Sequence, residues 1–445
     1  MPSRYPKTTK SPLHGHTGPG RQSHHPALVY ADAEGHILDW PALEMAGAGG
    51  GEWQRPRFSE LVPLPEGSEL FLLPDRLPVG FNSALRRFEP LAADPFAPEK
   101  PVRAVAAFIS PAYTHLYSPA YRTRSGAPLL PLFAYTAVGW LNGNFVVPAV
   151  RIDSDRRQDF CNFDLKLIER NARRRMSAER ENRLLQHLGK CALTYGCPAA
   201  KNLFMNRWEA PLPSSPECNA RCIGCISLQE STGLSATQDR IDFVPTPEEI
   251  SAVAVPHLQE AQRAVVSFGQ GCEGEPLLQA KTLEASIRMI RGATSRGTIN
   301  LNTNGSLPEA VEKLCRAGLQ SIRVSMNSAR PEYYQKYFRP KGFSFEDARR
   351  SISVVKANGG FASINYFVLP GFTDQESEWL SLRKLIAETG LDLIQMRNLN
   401  IDPEWYLDIL KPDLREKKLG MSRLLSMIRQ DFPHVRLGYF NPPVE

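Results

Sequence analysis

The sequence is poor in four things, and each shortage excludes a class of protein. No apolar run approaches the ~18 residues that a membrane-spanning helix requires, and the first residues lack the apolar core of a secretory signal. We therefore expect a cytoplasmic protein with no membrane partner. Cysteine is sparse, with 8 in 445 residues, which does not suit the disulfide framework of a secreted domain. Thiols so few are metal ligands, catalytic groups or small buried side chains. Net charge is low, at +6. Residues 1–26 carry four basic side chains and no acidic one, which leaves 49 basic against 47 acidic in the rest. So neutral a body does not favour a nucleic-acid partner, which takes a clear basic face. Finally, no internal repeat recurs at a fixed period beyond an alternation of strands and helices.

What is present points to two or three domains. The length exceeds one ordinary domain, and 42% hydrophobic residues suffice for real cores. Residues 1–26 are rich in Pro, Gly, Ser and His and read as a disordered basic tail whose four histidines are solvated. Residues 27–155 read as a strand-rich accessory domain. Apolar runs flank Asp32 to Gly35, and again Asn142-Gly143-Asn144, as in hairpins. Residues 156–204 read as a helical connector with Cys161, Cys191 and Cys197, and apolar spacing near 3.6 over 160–190 predicts one helix there. Arg173, Arg174 and Arg175 give that helix a basic face, solvated or turned to an anionic partner.

From 205 to 445 strand and helix signals alternate. Strands are expected near 207–213 and at 263–268, 298–304, 320–327, 361–369 and 391–397, each followed by a helical segment. Thr246, Pro247 and Glu249 form a capping-box start for one helix, and Thr373 with Glu376 suggests the same for another. The fold class expected is α/β, a partial (β/α)6 barrel preceded by the smaller strand-rich domain. Side chains alternate along a strand. One face therefore carries Asn300, Asn302 and Asn304 on the third strand, and Arg323, Ser325 and Asn327 on the fourth. The fifth adds Ser363 and Asn365, and the sixth Gln395 and Arg397. Helices cover the outside of such a barrel, so these polar faces should point inward. Left unpaired they would cost ~1–3 kcal/mol each, which argues for a polar ligand near the C-terminal strand ends.

The segment "PECNARCIGCIS" (216–227) spaces Cys218, Cys222 and Cys225 as C-x3-C-x2-C. Three thiols leave an iron–sulfur cluster or a zinc ion one ligand short. A structural zinc site would want a fourth Cys or His nearby, and none occurs between Cys225 and His257. The motif, directly before a run of strand–helix units, resembles the cluster motif of the radical S-adenosylmethionine (radical SAM) superfamily. That resemblance implies three thiolates on three irons of a [4Fe–4S] cluster, with S-adenosylmethionine chelating the fourth. It implies reductive cleavage of the cofactor to a 5′-deoxyadenosyl radical that abstracts hydrogen from a substrate. It also implies an electron donor such as flavodoxin or ferredoxin.

The resemblance extends to "CEGEPLL", where Glu273, Gly274 and Glu275 match the family's Gly-Gly-Glu motif for the cofactor's amino group. Ser325 and Asn327 match its ribose and carboxylate contacts, Asn302 and Asn304 reach the same pocket, and "VLPGFTD" resembles its adenine-side turn. Glu273 stands where the first glycine falls, and Gly224 where an aromatic precedes the third cysteine. The resemblance covers about 205–440. Cys161, Cys191 and Cys197 are candidates for a second [4Fe–4S] cluster, or buried thiols. Cys272, beside the cofactor, reads as a small filler, with a ligand or a hydrogen donor to a substrate radical as the alternatives, and Cys315 reads as core. Asn365, Gln395 and Arg397 are the substrate candidates, Arg397 for a carboxylate or phosphate. The expected activity is on a peptide, protein or small molecule. RNA modification, or a non-catalytic iron–sulfur or zinc protein, are the alternatives.

Overall fold

The structure, a computed structural model, describes residues 25–229 and 232–444. The expected tail at 1–26 lies outside these, except for His25 and Pro26. The chain divides into two compact units. One gathers the residues up to Ile152 with Val368–Trp379 and Asn398–Met427, and the other holds Asp153–Phe367, Leu380–Arg397 and Ile428–Glu445.

The first unit is strand-rich, as expected. Ala27–Ala31 pairs antiparallel with Ile37–Met45, and Gly139–Leu141 with Asn144–Arg151. The second hairpin turns through Asn142 (φ 48°) and Gly143 (φ 81°), the two left-handed residues that a tight hairpin turn needs. Val29, Val105, Ile109, Val138 and Val147 are core residues beneath the sheet. The two later segments are fastened here. Gly50 N donates to Pro370 O (3.1 Å), and a Cβ on Gly371 would stand 1.8 Å from Gly50 N. Arg76 Nη2 donates to Asp402 Oδ2 (2.8 Å), with both side chains buried. Asp402 also accepts from Leu130 N (3.0 Å) and caps the helix Pro403–Leu410.

The second unit is a curled parallel half-barrel. Its strands run in sequence order: Glu209–Pro211, Val265–Phe268, Thr298–Thr303, Ser321–Met326, Phe361–Val368, Leu393–Asn398 and Arg436–Gly438. The first six match the expected positions. The seventh has three residues, too short for a periodic signal. Helices follow where expected, and Thr246 and Glu249 form the capping box. Two local expectations are corrected. The helix expected over 160–190 is two, Leu165–Ala178 and Arg183–Leu193, because Asn182 Oδ1 accepts from Leu185 N and starts a new helix. The helix after the fifth strand begins at Glu376, not at a Thr373 cap; the Thr373 hydroxyl accepts from Leu369 N (2.9 Å). Among the described residues no helix is long and apolar enough to cross a membrane.

Asp402→Ala should cost about 3–5 kcal/mol in denaturant unfolding, because it strands the buried Arg76 cation. Adding Arg76→Met should recover most of that loss.

Candidate functional site

The loop after the first strand carries the three cysteines, and neighbouring backbone holds it from two sides. Gly274 N donates to Ser215 O (2.7 Å) and Glu275 N to Glu217 O (2.7 Å). Opposite, Arg221 N donates to Phe338 O (2.9 Å) and Ile223 N to Tyr337 O (3.2 Å). Within the loop Cys225 N donates to Cys222 O (3.3 Å), and Gln229 Nε2 to Cys225 O (2.8 Å). The three thiols are half-buried and feel one another's charge. Burial, then Glu275, pushes Cys218 up to about 11. Burial, then Cys218 and Cys225, pushes Cys222 well above the ordinary thiol range. Thiols raised in this way, as Cys218 and Cys222 are, become thiolates side by side when a metal supplies the compensating charge. The donor set, three soft sulfurs from one short loop, fits an iron–sulfur cluster.

The Glu-Gly-Glu segment is the loop's support. A Cβ on Gly274 would lie 1.9 Å from Glu217 O, so only glycine allows this approach. Glu273, in place of a glycine, turns its carboxylate away. Oε2 accepts from Ser214 N (2.8 Å), Ser214 Oγ (3.1 Å) and Ser215 N (3.1 Å), and Oε1 from Gln270 N (2.7 Å). Glu275 Oε1 accepts from Thr303 Oγ1 and Leu277 N, and Oε2 from Asn304 N (2.8 Å). Burial raises both carboxyls to about 7 against these donors. Asn304 Nδ2 donates to Asn219 Oδ1 (2.7 Å) inside the cysteine loop, tying the third strand's end to the same place. Sequence reasoning passed over Asn219, and also Arg240, which donates to Cys225 Sγ (3.4 Å) and Ser227 Oγ (3.2 Å). Both are polar residues beside or just beyond the motif, with no periodicity to single them out. Opposite Gly224, the aromatics Tyr334, Tyr337 and Phe338 stand beside the loop.

The polar strand faces do share one interior, but the reasoning that they need a ligand throughout is corrected. They largely satisfy one another. Asn300 Nδ2 donates to Ser267 Oγ (3.1 Å) and Asn302 Oδ1 (2.9 Å), and its Oδ1 accepts from Ser321 Oγ (2.8 Å). Asn302 Nδ2 donates to Gly269 O (2.9 Å). Asn441, from the segment after the seventh strand, donates to Asn302 Oδ1 (3.1 Å) and Glu209 Oε1 (2.7 Å) and accepts from Gln395 Nε2 (2.9 Å). Nothing local in the sequence marks Asn441. Ser325 and Asn365 are register partners on adjacent strands, Ser325 half-buried. Asn365 Oδ1 is buried with no partner among the described residues. Asn327 donates to Tyr333 O (3.2 Å).

The network ends on two cations. Gln395 Oε1 accepts from Arg323 Nη1 (3.2 Å) and Arg397 Nη2 (3.2 Å). Arg397 lies over the Tyr439 ring at 4.0 Å. The Nε of each guanidinium is buried with no partner among the described residues. Burial, then Arg397, pushes Arg323 down to about 9, so it stays charged at neutral pH. Arg323 shares the inward phase of Ser325, a signal sufficient to have placed it beside Arg397.

The remaining cysteines regroup. Cys161 is exposed on the turn Phe160–Asn162. The group brought together is Cys191, Cys272 and His187, whose ligand atoms lie within 4.8 Å of one another. Cys272 is thus one of a cluster of donors and not only a filler. Hydrogen bonding from Cys272 and then from His187 holds Cys191 below the ordinary thiol range. Cys315 is half-buried on the helix Pro308–Ala317.

Comparison with known proteins gives a family for this region. Residues 212–382 match the Radical SAM superfamily. The chain is 24% identical over 206 residues to the FeMo cofactor biosynthesis protein NifB of Azotobacter vinelandii, across 43% of this chain and 40% of that one. It is 26% identical over 218 residues to GTP 3′,8-cyclase of Aquifex aeolicus, across 48% and 62%. The chain thus spans less than two thirds of either relative. Among solved structures, that of methylornithine synthase overlaps 61% of this chain and 75% of that one, at 14% identity and a TM-score of 0.38.

Gly274→Ala should push the backbone at 217–218 aside. Iron bound per chain after anaerobic reconstitution should fall severalfold while far-ultraviolet circular dichroism stays unchanged.

Proposed function

We propose that this protein, whose residues 212–382 match the Radical SAM superfamily, is a radical enzyme acting on a substrate with a carboxylate or phosphate group. Cys218, Cys222 and Cys225 hold three irons of a [4Fe–4S] cluster. So held, the cluster would supply, with S-adenosylmethionine and one electron, the chemistry of hydrogen-atom abstraction. The chain's own residues position and enclose. Gly274 and Glu275 fix the cysteine loop, and Asn304 joins that loop to the third strand. Ser325, Asn327 and Asn365 edge the space for cofactor and substrate at the strand ends. Glu273 acts at one remove, by fixing Ser214 and Ser215. A one-electron donor, flavodoxin or ferredoxin, is required, and free thiols with an iron–sulfur site suit the reducing cytoplasm.

The observation that carries the substrate class is the Arg323–Arg397 pair. Two guanidiniums meet on one amide oxygen, each with a buried Nε that nothing described here satisfies. Buried charges are ordinarily paired, and a guanidinium fork matches a carboxylate or phosphate in two-point geometry. RNA is the weaker reading. Arg173 and Arg175 are paired with Glu169 and Glu179 one turn away, which withdraws two of that helix's five basic side chains from a polyanion, and the body outside residues 1–26 is near neutral.

Cys218→Ala, Cys222→Ala and Cys225→Ala should each abolish 5′-deoxyadenosine formation after anaerobic reconstitution, and Cys315→Ala should leave it intact. Full activity in any of the first three refutes the assignment. Inorganic phosphate at millimolar concentration should raise the melting temperature of the reconstituted protein. Arg323→Gln and Arg397→Gln should lose that rise while still cleaving the cofactor. An unchanged rise in both variants would remove the anionic substrate from the proposal.

A further inference from the structure

A second set of soft donors lies apart from the cysteine loop, in the same unit. His187 and Cys191 are four residues apart on the helix Arg183–Leu193, so they share one face. Cys272 comes from the loop after the second strand, more than 80 residues later in the chain. His187 Nε2 is 3.5 Å from Cys191 Sγ, and all three ligand atoms lie within 4.8 Å of one another. Both cysteines are buried. We propose that His187, Cys191 and Cys272 bind a single metal ion of the zinc class, separate from the iron–sulfur site.

The spacing decides the nuclearity. With metal–sulfur bonds of about 2.3 Å and metal–nitrogen bonds of about 2.0–2.1 Å, tetrahedral ligand atoms stand roughly 3.3–3.8 Å apart. The three donors are already within 4.8 Å of one another. An iron–sulfur cluster spreads its thiolates over separate irons and needs more room. Two thiolates and an imidazole suit zinc. Cys197 is a further thiol nearby, outside the set of three, and water would complete the tetrahedron. Cys197 begins the helix Pro198–Phe204, and its N–H donates to Cys191 O (3.1 Å). The ion would tie the connector helix to the loop that continues into Glu273 and Gly274. It is therefore a structural clamp behind the cysteine loop. Its existence does not depend on the radical reaction.

The test is metal analysis of the full chain in a Cys218→Ala/Cys222→Ala/Cys225→Ala background, which lacks the three cysteines of the C-x3-C-x2-C loop; iron and sulfide there in place of zinc would also overturn the proposal. One equivalent of zinc per chain is expected there, falling at least tenfold on adding Cys191→Ser or Cys272→Ser and unchanged on adding Cys161→Ser. Should the serine variants fail to fold, His187 decides the matter: His187→Cys should keep the zinc and His187→Ala lose it. Cobalt(II) exchanged into the site should show a sulfur-to-metal charge-transfer band that Cys191→Ser removes. Zinc content independent of Cys191, Cys272 and His187 overturns the proposal. So does a metal-free protein in which Cys191 and Cys272 form a disulfide.

Discussion

Two backbone hydrogen bonds, from Gly274 to Ser215 O and from Glu275 to Glu217 O, each 2.7 Å, hold the cysteine loop to the end of the second strand. The rest of the site depends on that seam. A loop with three thiols has little to fold around, since buried thiols give each other only repulsion once charged. The seam supplies the missing order from outside. It requires glycine at 274, because Glu217 O fills the place of a side chain. It requires Glu275 to be buried, where its carboxylate gathers Thr303, Leu277 and Asn304. The same two residues thus set the loop and the end of the third strand relative to each other.

Polar residues inside the half-barrel divide into two kinds. Asn300, Asn302, Gln395 and Asn441 are each other's partners and build a rigid frame across the strands. A fully connected network of this sort specifies one packing and leaves no orphaned group to destabilise it. At its edge the connection stops. Arg323 and Arg397 bring two positive charges to one amide oxygen, and Asn365, on the strand between them, has a buried oxygen that no described residue meets. The frame is satisfied without a ligand, whereas the edge is not. That contrast separates architecture from candidate binding surface better than polarity alone.

Both features bear on how the molecule could work under reducing conditions. In the proposed reaction the cysteine loop would offer sulfur to iron, and the arginine pair would offer charge to an anion. The helix Arg183–Leu193 adds donors of its own, His187 and Cys191, that meet Cys272 one residue before the motif. The cysteine loop and the helix Arg183–Leu193 thus both meet the loop after the second strand.

Much of this was written in local sequence. The C-x3-C-x2-C spacing, the Gly-Glu pair, the six strand positions and the capping box at Thr246 are all short-range patterns, and short-range sterics and periodicity set them. The phase of each strand even told which side chains share an interior. Tertiary structure alone decided what those side chains do there. Asn302 and Arg323 have the same inward phase, yet one is saturated by Asn441 while the Nε of the other has no partner among the described residues. Cys191 met Cys272 rather than Cys161, and residues 368–379 and 398–427 went to the strand-rich unit through contacts such as Gly371 on Gly50 and Arg76 on Asp402. Such outcomes rest on hydrogen bonds and packing between residues tens to hundreds of positions apart, which no local periodicity encodes.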